Sequence, residues 1–185
     1  RRSPCSNRPD QRGGHRRGAG RAGDTRMRRC LSIYVHIPYC RSRCGYCDFN
    51  TYAVAQPPER EYTAALVREL RHHATRSAWG DADLASVYFG GGTPSLFAPE
   101  SILELLAAVQ GVWPLESRPG AVEVTIEANP GTVNSEHLRA LRSAGVNRVS
   151  FGAQSFQPAV LTRLGRIHGA EEARAVVGLA QGAGF

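Results

Sequence analysis

Three cysteines at C-x3-C-x2-C spacing constrain this chain more than any other feature of its sequence. Cys40, Cys44 and Cys47 lie within eight residues, directly after a strand-like run at residues 31–37. A cubane iron–sulfur cluster contains four irons and is normally held by four Cys thiolates, so three thiolates leave one iron open. The spacing therefore predicts a metal site with a vacant position at which a small ligand can bind.

Structural zinc is the main alternative for these cysteines. Zinc prefers a closed site of four ligands, commonly two pairs of Cys or His. The second pair is missing here, and the possible fourth ligands are Cys30, His36 and Cys5, of which His36 is better interpreted as a buried, hydrogen-bonded histidine. A disulfide framework is disfavoured because five cysteines is an odd number and no apolar signal stretch is present. A cluster is favoured over zinc or unliganded thiols.

The positive charge of the chain is concentrated at its beginning. Residues 1–26 contain eight Arg and two acidic residues, whereas the remainder carries 15 Arg and 14 acidic residues, a net charge of +1. A nucleic-acid-binding domain should show a basic face, so the nearly neutral remainder argues against a nucleic-acid partner. No apolar run approaches the roughly 20 residues of a transmembrane segment.

The first 26 residues have the composition of a disordered tail. They are rich in Arg and Gly with almost no large apolar side chain, so they cannot offset the entropy lost on ordering. They resemble an RNA-binding arm or a transit peptide. Met27 stands immediately before the first periodic segment, which favours the interpretation that residues 1–26 are not native and that the core domain covers residues 27–185.

The remainder reads as strands and helices in alternation. Period-two patterns predict strands, and apolar residues at helical spacing predict helices. The strands are expected at residues 31–37, 84–89, 122–126 and 146–151, and the helices at about 57–73, 99–110, 135–144, 158–165 and 173–180. Such alternation implies an α/β fold with a parallel sheet, either a barrel or a doubly wound sheet. Four βα units make half a barrel, so we expect the chain to be the N-terminal part of a longer protein.

Four motifs follow directly after predicted strands. They are the cysteine loop, the glycine-rich turn at residues 90–94, the segment 127–131 and the segment 151–156. In α/β barrels the loops after the strands gather at one face, so we expect these four motifs to form one site. Each has an ordinary alternative, because the glycines may serve only a tight turn, Glu127 may be an outward strand residue, and Arg166 may be solvated.

These motifs resemble the radical SAM superfamily. The matching residues are Tyr34-Val-His-Ile-Pro-Tyr-Cys40-x3-Cys44-Gly-Tyr-Cys47-Asp-Phe, the Gly90 to Pro94 turn, Glu127-Ala-Asn-Pro-Gly and Val149-Ser-Phe-Gly-Ala-Gln154-Ser-Phe. More narrowly, they are similar to the oxygen-independent coproporphyrinogen III oxidase family and its heme chaperone branch, HemW. The resemblance implies a partial (β/α)6 TIM-like barrel, a 4Fe-4S cluster on the three cysteines, and S-adenosylmethionine on the open iron.

The resemblance also implies which residues contact the cofactor. Carried over by position, these are Tyr34, Tyr46, Gly91, Gly92, Thr93, Glu127, Gln154 and Arg166. The implied chemistry is reductive cleavage of the sulfonium to methionine and a 5′-deoxyadenosyl radical. Cluster potentials span roughly −700 to +450 mV, and this cleavage needs the low end, hence a reducing compartment and a cytoplasmic location.

One departure separates the two branches of this family. The oxidase proper resembles C-x3-C-x2-C-x-C, and the place of its fourth cysteine is occupied here by Phe49. The chain therefore resembles the chaperone branch, which binds heme and delivers it to haem proteins. The sequence identifies neither the recipient protein nor the electron donor. The alternatives are a coproporphyrinogen III oxidase or dehydrogenase of porphyrin biosynthesis, and a zinc-stapled or nucleic-acid-binding fragment without catalysis.

Overall fold

The computed structural model describes residues 29–75, 79, 82–113 and 122–185, so the prediction for residues 1–26 lies outside the described residues. Strands and helices alternate along most of this part of the chain. They are β1 (Cys30–Ile37), β2 (Tyr39–Cys40), β3 (Tyr52–Ala53), α1 (Glu59–Ala74), β4 (Asp83–Gly91), a 3-10 turn (Pro94–Leu96), α2 (Pro99–Gln110), β5 (Glu123–Ala128), α3 (Ser135–Ser143), β6 (Arg148–Phe151), α4 (Pro158–Arg163) and α5 (Ala170–Gly182). Among these helices, none is long and apolar enough to cross a membrane.

The main sheet has four strands in the order β1-β4-β5-β6, and all three pairings are parallel. Each strand of this sheet is added beside the previous one on the same side, with a helical connection between them. A doubly wound sheet reverses its direction of growth at a switch point, whereas a barrel does not. The predicted parallel α/β fold is confirmed, and the strand order is that of a barrel.

The two faces of this sheet differ in chemistry. The face toward the helices is apolar and buried: Ile37, Phe89 and Ile126 are fully buried in the core against side chains of α1 and α2. The opposite face carries polar side chains in register across neighbouring strands, including the Tyr34–Tyr88 pair. Because side chains alternate along a strand, residues between the core positions present their side chains on the opposite face of the sheet.

Local signals account for the ends of the helices. Pro99 occupies the first turn of α2, where its missing N–H leaves no helical hydrogen bond unmade. Asn134 caps α3 by accepting a hydrogen bond from the backbone N–H of His137 at 2.8 Å, as predicted. Gly145 follows α3 with φ of +109°, a conformation that favours glycine, and turns the chain toward β6.

Several strand bounds differ from the sequence prediction, since β4 continues through Gly90 and Gly91 and β5 ends at Ala128. The fourth main strand begins at Arg148 rather than at residue 146, because the Asn147 side chain takes the place of a strand partner. Its Oδ1 accepts from the Val124 N–H at 2.9 Å and its Nδ2 donates to the Val122 carbonyl at 2.8 Å. The short parallel pair β2–β3, which joins Tyr39 to Tyr52, was not predicted because two-residue strands carry no period of their own.

Candidate functional site

The cysteine loop is closed at its base and fixed to the glycine-rich turn. The Tyr52 N–H donates to the Pro38 carbonyl at 2.7 Å, which brings the two ends of the loop together. The Thr93 N–H donates to the Tyr39 carbonyl at 2.8 Å, and the Gly92 N–H donates to the Ile37 carbonyl at 2.9 Å. The loop that carries the thiols is therefore held by backbone hydrogen bonds to the ends of β1 and β4.

Each of the three thiols is partly buried and lies beside a different polar side chain. The Thr93 hydroxyl donates to Cys40 Sγ at 3.6 Å. Arg166 Nη1 donates to Cys44 Sγ at 3.3 Å. Thr51 Oγ1 lies 3.9 Å from Cys47 Sγ. Thr93 follows β4 and Arg166 follows α4, so two segments remote in sequence place donors beside the cysteine loop, whereas Thr51 belongs to the loop itself.

The neighbouring thiols also influence Cys40. Burial raises the pKa of the Cys40 thiol above its ordinary value, and the neighbouring Cys47 and Cys44 raise it further, against the lowering effect of the Thr93 hydrogen bond. These effects on Cys40 require the Cys44 and Cys47 sulfurs to lie within electrostatic reach of its own sulfur. Metal binding releases the thiol protons, and the three negatively charged thiolates that repel one another are then each attracted to the metal. Three clustered thiols with hydrogen-bond donors beside them fit an iron–sulfur cluster.

The glycine-rich turn has a steric origin. A Cβ added at Gly92 would lie 2.6 Å from the Tyr39 carbonyl oxygen and 2.9 Å from Cys40 Sγ. A Cβ at Gly91 would lie 2.7 Å from the His36 ring, and Gly91 also has φ of +118°. The turn therefore needs glycines because β1 and the cysteine loop approach its backbone closely.

Glu127 is tied to this turn. Its Oε1 accepts a hydrogen bond from the Tyr88 hydroxyl at 2.7 Å, and its Oε2 accepts one from the Gly91 N–H at 3.2 Å. Burial raises the pKa of Tyr88 to about 12, with the Glu127 hydrogen bond adding to the effect. Tyr34 belongs to the same group, because its ring stacks on Tyr88 at 6.0 Å between centroids. Tyr34 is 57% exposed, so its ring remains available at the mouth of the site.

Arg166 connects several loops, although it follows α4 in an otherwise exposed stretch. Besides Cys44, its guanidinium donates to the Tyr46 hydroxyl at 3.4 Å, to the Gly152 carbonyl at 2.5 Å and to Asn129 Oδ1. The side chain thus spans the cysteine loop and the segments that follow β5 and β6. The alternative interpretation, in which Arg166 is a solvated surface residue, is therefore wrong.

Gln154 has an unusual backbone conformation. It is exposed, and with φ of +65° it is the non-glycine residue with positive φ in the described part of the chain. The Ser155 N–H donates to the Ala153 carbonyl at 2.8 Å, which closes a three-residue turn around it. Left-handed backbone at a non-glycine residue costs about 1–3 kcal/mol and is concentrated at ligand sites. The strain is consistent with a functional side chain at this position.

Thr93, Glu127, Tyr46 and Arg166 are thus linked by hydrogen bonds to the cysteine loop or the glycine-rich turn, and Tyr34 stacks on Tyr88 beside them. No hydrogen bond within the described residues links the Gln154 side chain to this group. Sequence reasoning missed Asn129, which joins Thr93 to Arg166, and Tyr88, which holds Glu127. Tyr88 could have been found from the alternation of β4, because its register partner Thr125 lies two residues before Glu127 on the same face. It also missed His168, whose ring is buried with Nε2 at 3.1 Å from the Ala153 carbonyl and Nδ1 without a partner.

The alternative of a zinc site finds little support in the positions of its candidate ligands. Cys30 begins β1, and seven residue steps of strand, about 23 Å, separate it from the end that carries the cysteine loop. Both ring nitrogens of His36 have partners, the Tyr34 hydroxyl at 3.1 Å and the Asn50 carbonyl at 3.0 Å. Cys5 lies outside the described residues. Within the described ranges, no group of three or more His, Cys, Asp or Glu side chains is arranged to hold a single metal ion.

This chain is similar in sequence to known proteins of one superfamily. The sequence model of the Radical SAM superfamily matches residues 34–185. The chain is 44% identical over 158 residues to the heme chaperone HemW of Haemophilus influenzae, covering 84% of this chain and 40% of the relative. It is 41% identical over 156 residues to the heme chaperone HemW of Escherichia coli, with the same coverage of 84% and 40%. The chain thus spans about two fifths of the length of these curated relatives.

A solved structure shares the fold as well. Coproporphyrinogen III oxidase (HemN) from Escherichia coli, described as a radical SAM enzyme, superimposes with a TM-score of 0.75 at 30% sequence identity. The match covers 85% of this chain and 36% of that chain. The α/β architecture predicted from the sequence is therefore the architecture of a solved radical SAM protein over nearly all of the described residues.

Proposed function

The chain belongs to the radical SAM superfamily, and on that premise we propose that Cys40, Cys44 and Cys47 bind a 4Fe-4S cluster whose open iron takes S-adenosylmethionine. Membership of this family implies both cofactors. The observation that carries the assignment to these residues is that Cys40 and Cys44, on one loop, accept hydrogen bonds from Thr93 and Arg166 of two other segments, with Cys47 close enough to raise the pKa of the Cys40 thiol. When bound, the cluster and S-adenosylmethionine supply one-electron cleavage of a carbon–sulfur bond, which is chemistry of the cofactor rather than of the protein.

The residues around the thiols are proposed to bind and orient S-adenosylmethionine. They are Tyr34, Tyr46, Gly91, Gly92, Thr93, Glu127, Gln154 and Arg166. A carboxylate such as Glu127 suits an amino or hydroxyl group, and a guanidinium such as Arg166 suits a carboxylate. Tyr46 is 47% exposed beside Arg166, so its ring can stack on a purine. The links between these residues support their action as one binding site.

We propose further that the protein, of which residues 27–185 form the radical SAM core, acts as a heme chaperone that binds heme and delivers it to a haem protein. Phe49 supports this choice over the oxidase, because it stands where the oxidase pattern has its fourth cysteine and is 64% exposed. An exposed phenylalanine beside the thiols contributes no ligand and little to the core. In sequence, the two chaperones named above are 44% and 41% identical to this chain, and an oxygen-independent coproporphyrinogen III oxidase of Bradyrhizobium diazoefficiens is 36% identical. The low potential that such a cluster needs favours the cytoplasm.

Anaerobic reconstitution with iron and sulfide tests the cluster. The chain is expected to take up about four irons and four sulfides, as a cubane cluster requires. The Cys40→Ala, Cys44→Ala, Cys47→Ala triple variant is expected to take up neither, and Ser42→Ala, in the same loop but removing no thiol, serves as the control. Equal iron in the triple variant and the parent contradicts the proposal, and stoichiometric zinc without sulfide would favour the zinc alternative.

Heme binding, heme transfer and coproporphyrinogen III turnover separate the chaperone from the oxidase. They are measured side by side on the full-length protein, with the Haemophilus influenzae chaperone and the Escherichia coli oxidase as positive controls. We expect heme binding, seen as a shifted Soret band, and no turnover of coproporphyrinogen III. Turnover at a rate comparable to that of the Escherichia coli enzyme would contradict the chaperone proposal in favour of the oxidase.

A further inference from the structure

Asn129 lies just after β5, beside none of the thiols but between two residues that touch them. Its Nδ2 donates to Thr93 Oγ1 at 2.8 Å, and its Oδ1 accepts from Arg166 Nη2. Thr93 in turn donates to Cys40 Sγ at 3.6 Å, while Arg166 donates to Cys44 Sγ at 3.3 Å. The four side chains therefore form a continuous hydrogen-bonded path from Arg166 to Cys40.

Arg166, at the donor end of this path, fixes the direction of every hydrogen bond in it. A guanidinium carries N–H donors and no acceptor, so the atom of Asn129 that faces Arg166 must be the amide oxygen. The amide NH2 then faces Thr93 and donates to its hydroxyl oxygen. An oxygen that accepts in this way directs its own proton elsewhere. Thr93 is 1% exposed, so water cannot take that proton, and Cys40 Sγ is the acceptor within reach.

We propose that Asn129 is a positioning residue that holds the Thr93 hydroxyl as a constant donor to Cys40 and ties this donor to Arg166. This inference rests on the proposed binding of a cluster by Cys40. Hydrogen bonds to the sulfurs of a cluster are one of the means by which a protein sets its reduction potential, and side chains behind the ligands fix the ligand orientation. Asn129 thereby acts on the reduction potential without touching a thiol.

The same path explains why Arg166 matters to two thiols. It donates directly to Cys44, and through Asn129 and Thr93 it sets the donor to Cys40. A ligand that draws the guanidinium away from Asn129 therefore releases the amide, and with it the orientation of the Thr93 proton. Occupancy of the site at Arg166 is in this way connected to the hydrogen bonding of two of the three thiols.

A double-mutant cycle on the reconstituted cluster tests the inference. Asn129→Asp keeps the shape and the acceptor for Arg166, but it presents an acceptor to Thr93, so the Thr93 proton turns from Cys40 to the introduced carboxylate. Thr93→Val removes the hydroxyl at nearly constant volume. The midpoint potential is measured by anaerobic redox titration followed by electron paramagnetic resonance, without S-adenosylmethionine, so the readout does not depend on activity.

The cycle separates the hydrogen bond from the added charge. In the parent, Thr93→Val is expected to shift the midpoint potential to more negative values, because a donor to a cluster sulfur is lost. In the Asn129→Asp background the same change is expected to shift the potential by less than half as much, because the hydroxyl no longer donates to Cys40. The charge of the carboxylate is common to both arms and cancels.

Thr51→Val provides the matched control. Thr51 is buried beside Cys47 and is not part of the path, so its shift in midpoint potential is expected to be equal in the two backgrounds. An equal shift for Thr93→Val in both backgrounds, or no shift in the parent, overturns the proposal. If the Asn129→Asp variant does not bind a cluster, the Thr93→Val shift is measured in an Asn129→Ala background and is again expected to be less than half of that in the parent. A parent chain that forms no cluster refutes the proposed function itself, a result distinct from additivity in the cycle.

Discussion

Gly92→Ala is the substitution that most directly tests why the glycine-rich turn has no side chains. The added Cβ would lie 2.6 Å from the Tyr39 carbonyl oxygen and 2.9 Å from Cys40 Sγ, whereas ordinary contacts begin at 3.4 Å. The carbonyl would have to retreat by 0.8 Å and the sulfur by 0.5 Å, the differences between these distances. The carbonyl is backbone, and it accepts the Thr93 N–H at 2.8 Å, so it cannot move alone.

The expected cost follows from this overlap. Inserting a methyl group into a packed site typically costs about 1–3 kcal/mol. Replacing glycine by alanine also restricts the unfolded chain, which contributes about 0.4–1 kcal/mol of stability where the native backbone allows it. The steric cost exceeds this gain, so we expect a net loss of about 1–2 kcal/mol in the free energy of unfolding. A displaced Cys40 sulfur should also lower iron uptake, because ligand geometry tolerates only about 0.5 Å of error.

Urea unfolding and iron content after reconstitution measure the two effects. Gly178→Ala is the matched control, because it lies within α5 on an exposed face and its added Cβ has no atom within 4 Å. We expect this control to gain about 0.5–1 kcal/mol, the usual advantage of alanine over glycine in a helix. If Gly92→Ala unfolds at the same urea concentration as the parent and binds as much iron, the steric explanation of the turn is wrong.

Three further predictions concern protonation and packing. Glu127→Gln removes the negative charge that helps to keep the Tyr88 hydroxyl protonated, so the pKa of Tyr88 should fall below about 12. Tyrosinate absorbance should then rise at a lower pH in an alkaline titration, and an unchanged titration would contradict the contact. Burial lowers the pKa of His168 below its ordinary 6.5, so the unfolded chain binds a proton that the folded chain resists, and the free energy of unfolding falls as the pH drops below about 6.5. His168→Gln, which keeps a donor for the Ala153 carbonyl without titrating, should flatten that dependence in urea titrations, and equal slopes would refute it. Ile126→Ala, at a fully buried position of β5, should lower the free energy of unfolding by about 2–5 kcal/mol, and a loss below about 1 kcal/mol would mean that the core is not packed around this side chain.

The elements of this fold follow closely from local patterns. The helices and the first strand begin and end within about three residues of their predicted bounds, because caps, prolines and hydrophobic periods act over a few neighbouring residues. The exception at β6 is also instructive. Val146 and Asn147 have the composition of a strand, yet the Asn147 side chain occupies the backbone groups of β5 that a longer strand would have paired.

The candidate site divides in the same way. The spacing of Cys40, Cys44 and Cys47 indicates a metal–sulfur loop by itself, because ligands on one short loop lie close together whatever the rest of the chain does. The contact of Arg166 with Cys44 joins residues 122 positions apart, and the Asn129 contacts with Thr93 and Arg166 are similarly remote. Such contacts depend on which strand ends are neighbours.

The alternation of strands and helices, the three-cysteine loop and the radical SAM family could all be inferred from sequence, since each depends on residues close together along the chain. Tertiary structure decided that the strands add in one direction as in a barrel, that Gly92 is required by the approach of the cysteine loop, and that Asn129 stands between Thr93 and Arg166. The physical reason is that packing distance and hydrogen-bond direction arise from strand order and register. Those properties are set by the whole sheet rather than by any one segment.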